Sequence, residues 1–297
     1  MTINALEDMR LFQEVLDAGS FTAAAERLDT SKQLVSRKLM ALEQRLGVRL
    51  LNRTTRKLSP TPLGLAYLER AREIVAAVEE AESAISRQGA RPRGTLRISA
   101  PMSFGTLHLA PLLPRFLQAY PDVQLAVDLN DRAVDLVGEG YDLALRIGQL
   151  AESTLVARRI ALTQMVTCAS PAYLARHGAP AEPAALRAHA CLLYGHGRTG
   201  LWSFQRDGRA LGVEVAGHLR ANNGEVLCEA AVQGQGIAHL PHFLVRAGLE
   251  RGALQPVLAE FAPPPLPVSV LYPQHRQTSM LVRAFVDFLM TSSLHAG

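Results

Sequence analysis

Residues 20–59 read SFTAAAERLDTSKQLVSRKLMALEQRLGVRLLNRTTRKLS, and the spacing within this stretch decides the fold of the N-terminal part. Thr30 and Gln33 stand at capping-box spacing, which predicts a helix starting near Ser31. At about 100° per residue, Val35, Leu39, Leu42 and Leu46 fall in one arc, the expected core side. Gln33, Ser36, Arg37, Met40 and Gln44 lie opposite. Such a face suits a DNA major groove: Arg forks onto guanine, Gln pairs with adenine, and Ser meets bases or phosphates. A plain solvated helix face has a similar composition. Upstream, Ser20 caps an Ala-rich helix ending near Leu28. Residues 5–18 form another, with Asn4 as its cap and Gly19 at its end; Leu6, Met9, Phe12, Val15 and Leu16 share one face. A short helix, a turn and a second helix with a polar outer face make a helix-turn-helix.

Downstream, residues 48–51 read as a short strand and residues 57–59 as its return. Arg53, Thr54, Thr55 and Arg56 lie between them, a basic wing suited to phosphates or the minor groove. Ser31, Lys32 and Lys38 complete the candidate DNA contacts on the helix. Residues 27–57 hold nine basic and two acidic groups, a local charge of +7 in a chain whose total is +4. A charge block of that kind points to a polyanion.

GSFTAAAERL, the Ser36-Arg37 pair and LEQRLGVRLLNRTTRKLSPTPLG resemble the N-terminal signature of the LysR-type transcriptional regulators, over about the first 65 residues. The resemblance implies that the helix of residues 31–46 enters the major groove. Leu51 replaces a frequent Phe, and Lys32 and Gln33 stand where Gln and Pro are frequent, so no operator sequence is carried over.

Thr61 and Pro62 open a long helix reaching Gln88, with Gly89 and Pro92 beyond. Tyr67, Ala71, Ile74, Val78, Ala81 and Ile85 follow a heptad rhythm. That stripe fits a second copy of the helix or the chain's own core. The resemblance implies a homodimer or tetramer, and therefore an operator with rough dyad symmetry.

From Gly94 the texture changes to alternating β-type and helical runs. Strands are expected at 95–100, 123–129 and 143–147, and helices at 112–120, 133–139, 171–177 and 225–233. This is α/β architecture with mostly parallel sheets. VDLVGEGYDLALRIG, ASPAYLARHG and AAVQGQGIAHLP resemble the effector-binding domain of the same family. That domain resembles type II periplasmic binding proteins, two lobes joined by crossovers placed here near 162–166 and 262–268. The expected division is a winged helix-turn-helix at 1–60, a linker helix at 61–89 and an effector domain at 90–297. Lobe I takes 90–163 and 267–297, and lobe II takes 164–266. Ser99, Met102, Ser103 and Phe104 surround a strand-to-helix turn whose amides favour an anion. Arg146 ends a strand, where it suits a carboxylate or a structural ion pair. Asn130, Trp202, Asn222 and Asn223 are further cleft candidates.

The 297 residues, 48% hydrophobic and 20% charged, suit about two globular domains. No signal pattern or membrane-length apolar run is visible, and a cytoplasmic protein is expected. Cys168, Cys191 and Cys228 give neither a disulfide framework nor a metal pattern. The residues at 195–200 match GxGxxG, but a strand, not a helix, is expected to follow. His239 and His242 lack a third metal ligand nearby. No catalytic residue, metal or cofactor is therefore expected, and no enzyme. The resemblance implies double-stranded DNA, a small-molecule effector, further copies of the chain and RNA polymerase as partners. Two rivals stand beside it: a solute-binding protein or enzyme built on the α/β part, and a redox sensor using a cysteine.

Overall fold

The computed structural model describes residues 5–54, 57–85, 91–150, 154–195, 199–277 and 279–292. Three helices open the chain: α1 (Ala5–Asp17), α2 (Phe21–Arg27) and α3 (Lys32–Leu46). Ser20 caps α2 by accepting the Ala23 amide at 3.1 Å. Ser31, not Thr30, caps α3, its hydroxyl accepting the Leu34 amide at 3.2 Å. Val35, Leu39 and Leu42 are buried with Leu11, Phe12, Val15, Ala24 and Ala25. Leu46 was expected there but is exposed, because α3 ends at once on the left-handed Gly47.

The wing is the antiparallel pair β1 (Leu51–Thr54) and β2 (Lys57–Pro60). The first strand begins later than expected. The buried Glu43 carboxylate takes the Leu50 and Leu51 amides at 2.8 and 3.1 Å, so a side chain holds the chain here. Thr61 caps α4 (Pro62–Ile85) by accepting the Gly64 amide at 3.0 Å. Gly64 is required: a Cβ there would stand 2.0 Å from the Leu50 carbonyl oxygen. Helix α4 lies on α1, with Phe12 edge-on to Tyr67 at 5.5 Å.

The rest of the chain comprises β3 (Gly94–Ala100), α5 (Met102–Phe104), α6 (Leu113–Ala119), β4 (Val123–Leu129), β5 (Leu143–Ile147), β6 (Leu155–Thr163), β7 (Met165–Ala169), α7 (Pro171–His177), β8 (Cys191–Tyr194), β9 (Gly200–Arg206), β10 (Arg209–Val215), β11 (Arg220–Ala221), α8 (Gly224–Val232), β12 (Ile237–Pro241), α9 (His242–Glu250), β13 (Gln255–Pro256), β14 (Leu266–Pro273) and α10 (Met280–Thr291). One sheet has the order β4-β3-β5-β14-β6 and the other β11-β8-β12-β7-β13. They are mixed rather than mostly parallel. Strand β14 runs antiparallel to β5 and β6, and β7 antiparallel to β12 and β13. The chain passes between the sheets at Gln164 and returns through 262–265. The Gln164 side-chain amide donates to the Pro263 carbonyl at 2.6 Å and ties the two crossings together.

Residues 133–139 were expected to be helical and instead form turns. Asp135 accepts the Gly138 amide at 3.1 Å, and Gly140 sits at φ +75°, so the turn closes before a helix can grow.

Candidate nucleic-acid interface and ligand cleft

Helix α3 turns two unlike sides outward and inward. Val35, Leu39 and Leu42 are at most 1% exposed, whereas Lys32, Gln33, Arg37 and Met40 are exposed and Ser36 is half-buried. Arg37 has no ion pair among the described residues. Met40 is 45% exposed, an apolar group able to meet a thymine methyl. Lys38 lies off this face: at about 100° per residue it is a full step beyond Arg37, and its ammonium stands 3.6 Å from Glu7 of α1. Ser31 is exposed, with its hydroxyl engaged in the cap. In the wing, Thr55 and Arg56 lie outside the described residues, and Arg53 and Thr54 are placed only as backbone, on β1.

Along α4 the expected stripe divides. Ala71 is fully buried, and Leu68 and Val75 beside it are buried, while Leu63 and Ile74 are 57% and 44% exposed. Ala66 and Ala77 are exposed on the same flank. Half of the stripe thus packs within the chain, because α1 needs a partner for Phe12. The side chains of Ala81 and Ile85 lie outside the described residues.

Between the two sheets a polar cluster forms. Arg146 donates to the Ser99 hydroxyl at 3.1 Å, to the Arg132 carbonyl at 3.1 Å and to the Leu145 carbonyl at 2.7 Å. Asn130 donates to the same Ser99 oxygen at 3.4 Å, and its own carbonyl oxygen is buried with no partner among the described residues. Burial pulls the Arg146 pKa down, and nearby Asp131 pulls it back up. No carboxylate lies within ion-pair distance of Arg146 among the described residues. A guanidinium held only by neutral acceptors retains charge for an anion.

Residues from opposite sheets meet over this cluster. Ser103 donates to Glu225 at 3.2 Å, and Asn223 donates to the Met102 sulfur at 3.3 Å and to Glu225 at 2.9 Å. Asp131 accepts the Met102 amide at 3.2 Å. Burial and a hydrogen bond to Asp131 push the Tyr194 hydroxyl pKa upward. The amide at the start of α5, expected to await an anion, is therefore already taken by Asp131. The cleft is bridged by its own side chains. Cavities of about 300 and 10 Å³ lie elsewhere, one between α1 and α3 and one where α4 meets lobe I.

Two candidates are displaced. Trp202 is 6% exposed in the core beside β9 and β10, stacked on His239 at 5.2 Å. Phe104 is 1% exposed, edge-on to Phe243 at 5.7 Å. Both aromatic rings serve packing, the commoner role of large aromatics. Asn222 is exposed just before α8, outside the network. Asp131, Tyr194 and Glu225 were missed. Glu225 sits two residues after the Asn223 cap, which was the one available signal.

Burial raises the thiol pKa of all three cysteines, to about 12 for Cys168 and Cys191. A peroxide sensor needs the opposite shift. Residues 196–198 of the glycine-rich loop lie outside the described residues, and Gly200 begins a strand. Among the described residues, no three His, Cys, Asp or Glu side chains form a metal group, and no helix is long and apolar enough to cross a membrane.

Comparisons with known proteins match the chain in two segments. Residues 6–65 match the bacterial regulatory helix-turn-helix model of the lysR family, and residues 89–293 match the LysR substrate binding domain. An HTH-type transcriptional regulator of Haemophilus influenzae is 37% identical over 94% of this chain and 98% of its own. One from Xanthomonas campestris pv. campestris is 39% identical over 96% of this chain and 85% of its own. The structure of CrgA, a LysR-type transcriptional regulator from Neisseria meningitidis, is 34% identical, with TM-score 0.61 over 98% of both chains. The CrgA regulatory domain alone gives 0.58 over 67% of this chain and 98% of its own, at 31% identity.

Proposed function

The chain belongs to the LysR family of DNA-binding transcriptional regulators, and from that premise we propose that it reads its operator with Gln33, Ser36, Arg37 and Met40 of α3. Effector modulation through the C-terminal domain is general to the family. The observation carrying the reading is the outward Arg37, without an ion pair among the described residues, on a helix whose other side is buried. Lys32 flanks the groove, and Arg53, Thr54, Thr55 and Arg56 hold phosphates. Lys38, tied to Glu7, serves orientation more than base reading. The two folded parts joined by α4 support the division at residues 60 and 89 and the two lobes placed on either side of Gln164 and 262–265.

The exposed flank of α4 at Leu63, Ala66, Ile74 and Ala77 fits a second copy of the helix, giving a dimer or a dimer of dimers. Two recognition helices on one face of DNA require two half-sites in rough dyad symmetry. RNA polymerase is the further partner, and the cytoplasm the place of action. A small molecule bearing a carboxylate binds between the lobes at Arg146, Ser99, Asn130 and Ser103. It must displace cross-lobe bonds, and so it changes lobe geometry through its different affinity for the two arrangements.

Gel retardation and footprinting on the DNA upstream of the chain's own gene test this reading. Two protected half-sites are expected, and the absence of any complex in low salt contradicts it. A thermal-shift screen of carboxylate metabolites tests the cleft, since a ligand stabilises the state it binds. Arg146→Ala should abolish any shift observed.

A further inference from the structure

The DNA-binding unit, the linker helix and lobe I meet at one ionic junction that neither the reading face nor the cleft uses. Asp17, the last residue of α1, accepts from Arg72 of α4 at 2.9 Å and from Arg97 of β3 at 3.4 Å. Arg72 is 9% exposed, and its other terminal nitrogen donates to the Val137 carbonyl. Arg276, just after β14, pairs with Asp142 at 3.1 Å, and Asp142 also takes the Arg97 amide at 2.8 Å. Burial lowers the Arg72 pKa, Asp17 raises it, and Arg276 and Arg97 repel its charge. Without Asp17 the buried Arg72 guanidinium would face the repulsion of Arg97 and Arg276 with no carboxylate of its own among the described residues, which a buried charge does not tolerate. Gly140 lies against the pair: a Cβ there would stand 2.7 Å from Arg72 and 2.9 Å from Arg97.

The stretch 131–142 runs from the cleft to this junction. At its start, Asp131 holds the Met102 amide and the Arg132 carbonyl accepts from Arg146. At its end, Val137, Gly140 and Asp142 contact the junction arginines. Leu136 anchors its middle on the lobe I sheet with Ala144 and Leu271. Strand β3 gives a second, shorter route: Arg97 and Ser99 project from one face two residues apart, about 7 Å.

We propose that Asp17 and Arg72 are positioning residues that fix the orientation of the DNA-binding unit on lobe I, and that the 131–142 stretch carries the state of the cleft to them. The first half stands on the junction alone. The second rests on the cleft being the effector site, and it predicts that any change in the grip of Arg146 on Arg132 shifts the junction. Such coupling needs one element with two arrangements that both sites bias.

Hydrogen exchange and small-angle scattering on the full chain test both halves without any ligand. Asp17→Asn should raise exchange in 131–142 and around Arg72 by about tenfold or more and increase the radius of gyration. Asp17→Glu should restore both. If Asp17→Asn does not fold, the wild-type chain supplies the same comparison. Going from about 0.05 to 1 M NaCl should loosen the same segments, since partly exposed ion pairs are screened. Unchanged exchange and size in Asp17→Asn, or under salt where that variant fails, overturn the junction. Arg146→Met should raise exchange at the C-terminal end of α1 as well as in 131–142. An effect confined to the cleft overturns the transmission while leaving the junction standing. Failure of the cleft as a ligand site appears separately, as no carboxylate producing an Arg146-dependent thermal shift.

Discussion

On α3, Gln33, Arg37 and Met40 stand exposed with no described partner to give up, whereas in the cleft Ser103, Asp131 and Asn223 already hold groups from across the cleft or beside it. A duplex can dock on the first surface by replacing water. A ligand in the second must exchange existing hydrogen bonds, each worth about 1 kcal/mol net. On the proposed reading, that exchange would let ligand binding move the lobes, because a site that rearranges nothing can shift no equilibrium. On the proposed reading, the α3 face favours affinity and the cleft favours a response.

The largest expected effect breaks the scaffold of the reading face alone. Glu43→Ala leaves the Leu50 and Leu51 amides without their acceptor, at about 2 kcal/mol each. Calorimetry should show the DNA-binding unit melting earlier while the effector domain keeps its transition. If both transitions moved together, the two regions could not be treated as separate.

Next in size is an acid effect confined to lobe II. His239 is buried against Trp202 and Phe204 and hydrogen-bonded to Thr167 at 2.9 Å, and burial lowers its pKa to about 4. The folded chain keeps it neutral, while the unfolded chain protonates it below about 6.5. Its contribution is therefore complete above about pH 6.5 and erodes as pH falls toward 4, by about 3 kcal/mol. Urea unfolding across that window checks this, and His239→Phe should flatten the dependence. An equal slope in the variant removes His239 as the cause.

The smallest effect sharpens the division of labour within the DNA-binding unit. Arg53→Ala should weaken operator and random duplex by the same factor and reduce the salt slope by about one. Anisotropy titrations at several salt concentrations measure both. A loss limited to the operator would make the wing a reader of sequence.

The same contrast explains what the sequence revealed. Helices α1 to α3 repeat their apolar residues at local spacing, and Ser20 and Gly47 mark their ends, so one stretch of chain carries the pattern. The outward position of Arg37 follows from its angle to Val35 and Leu39 alone. The cleft brings together residues from 99 to 225, and no periodicity encodes that meeting. Ser99, Asn130 and Arg146 were nonetheless legible, because each stands at the end of a strand or directly after one, beside the sheet crossing. Trp202 and Phe104 misled because an aromatic ring that packs a core has the same letter as one that stacks a ligand. Tyr194 carried no signal, and Glu225 only its place two residues after the Asn223 cap, since acidic helix starts and strand-end tyrosines are common. The α4 stripe was only half legible: heptad spacing does not say whether Ala71 meets its own α1 or another chain.

The most direct test of the account is the affinity of Arg37→Ala for its operator and for random duplex, measured side by side at one salt concentration. A guanidinium that reads base edges should cost the operator about 10- to 100-fold and leave random DNA nearly unaffected. Equal losses on both would mean that Arg37 only neutralises phosphates, and that the outward face of α3 does not read sequence.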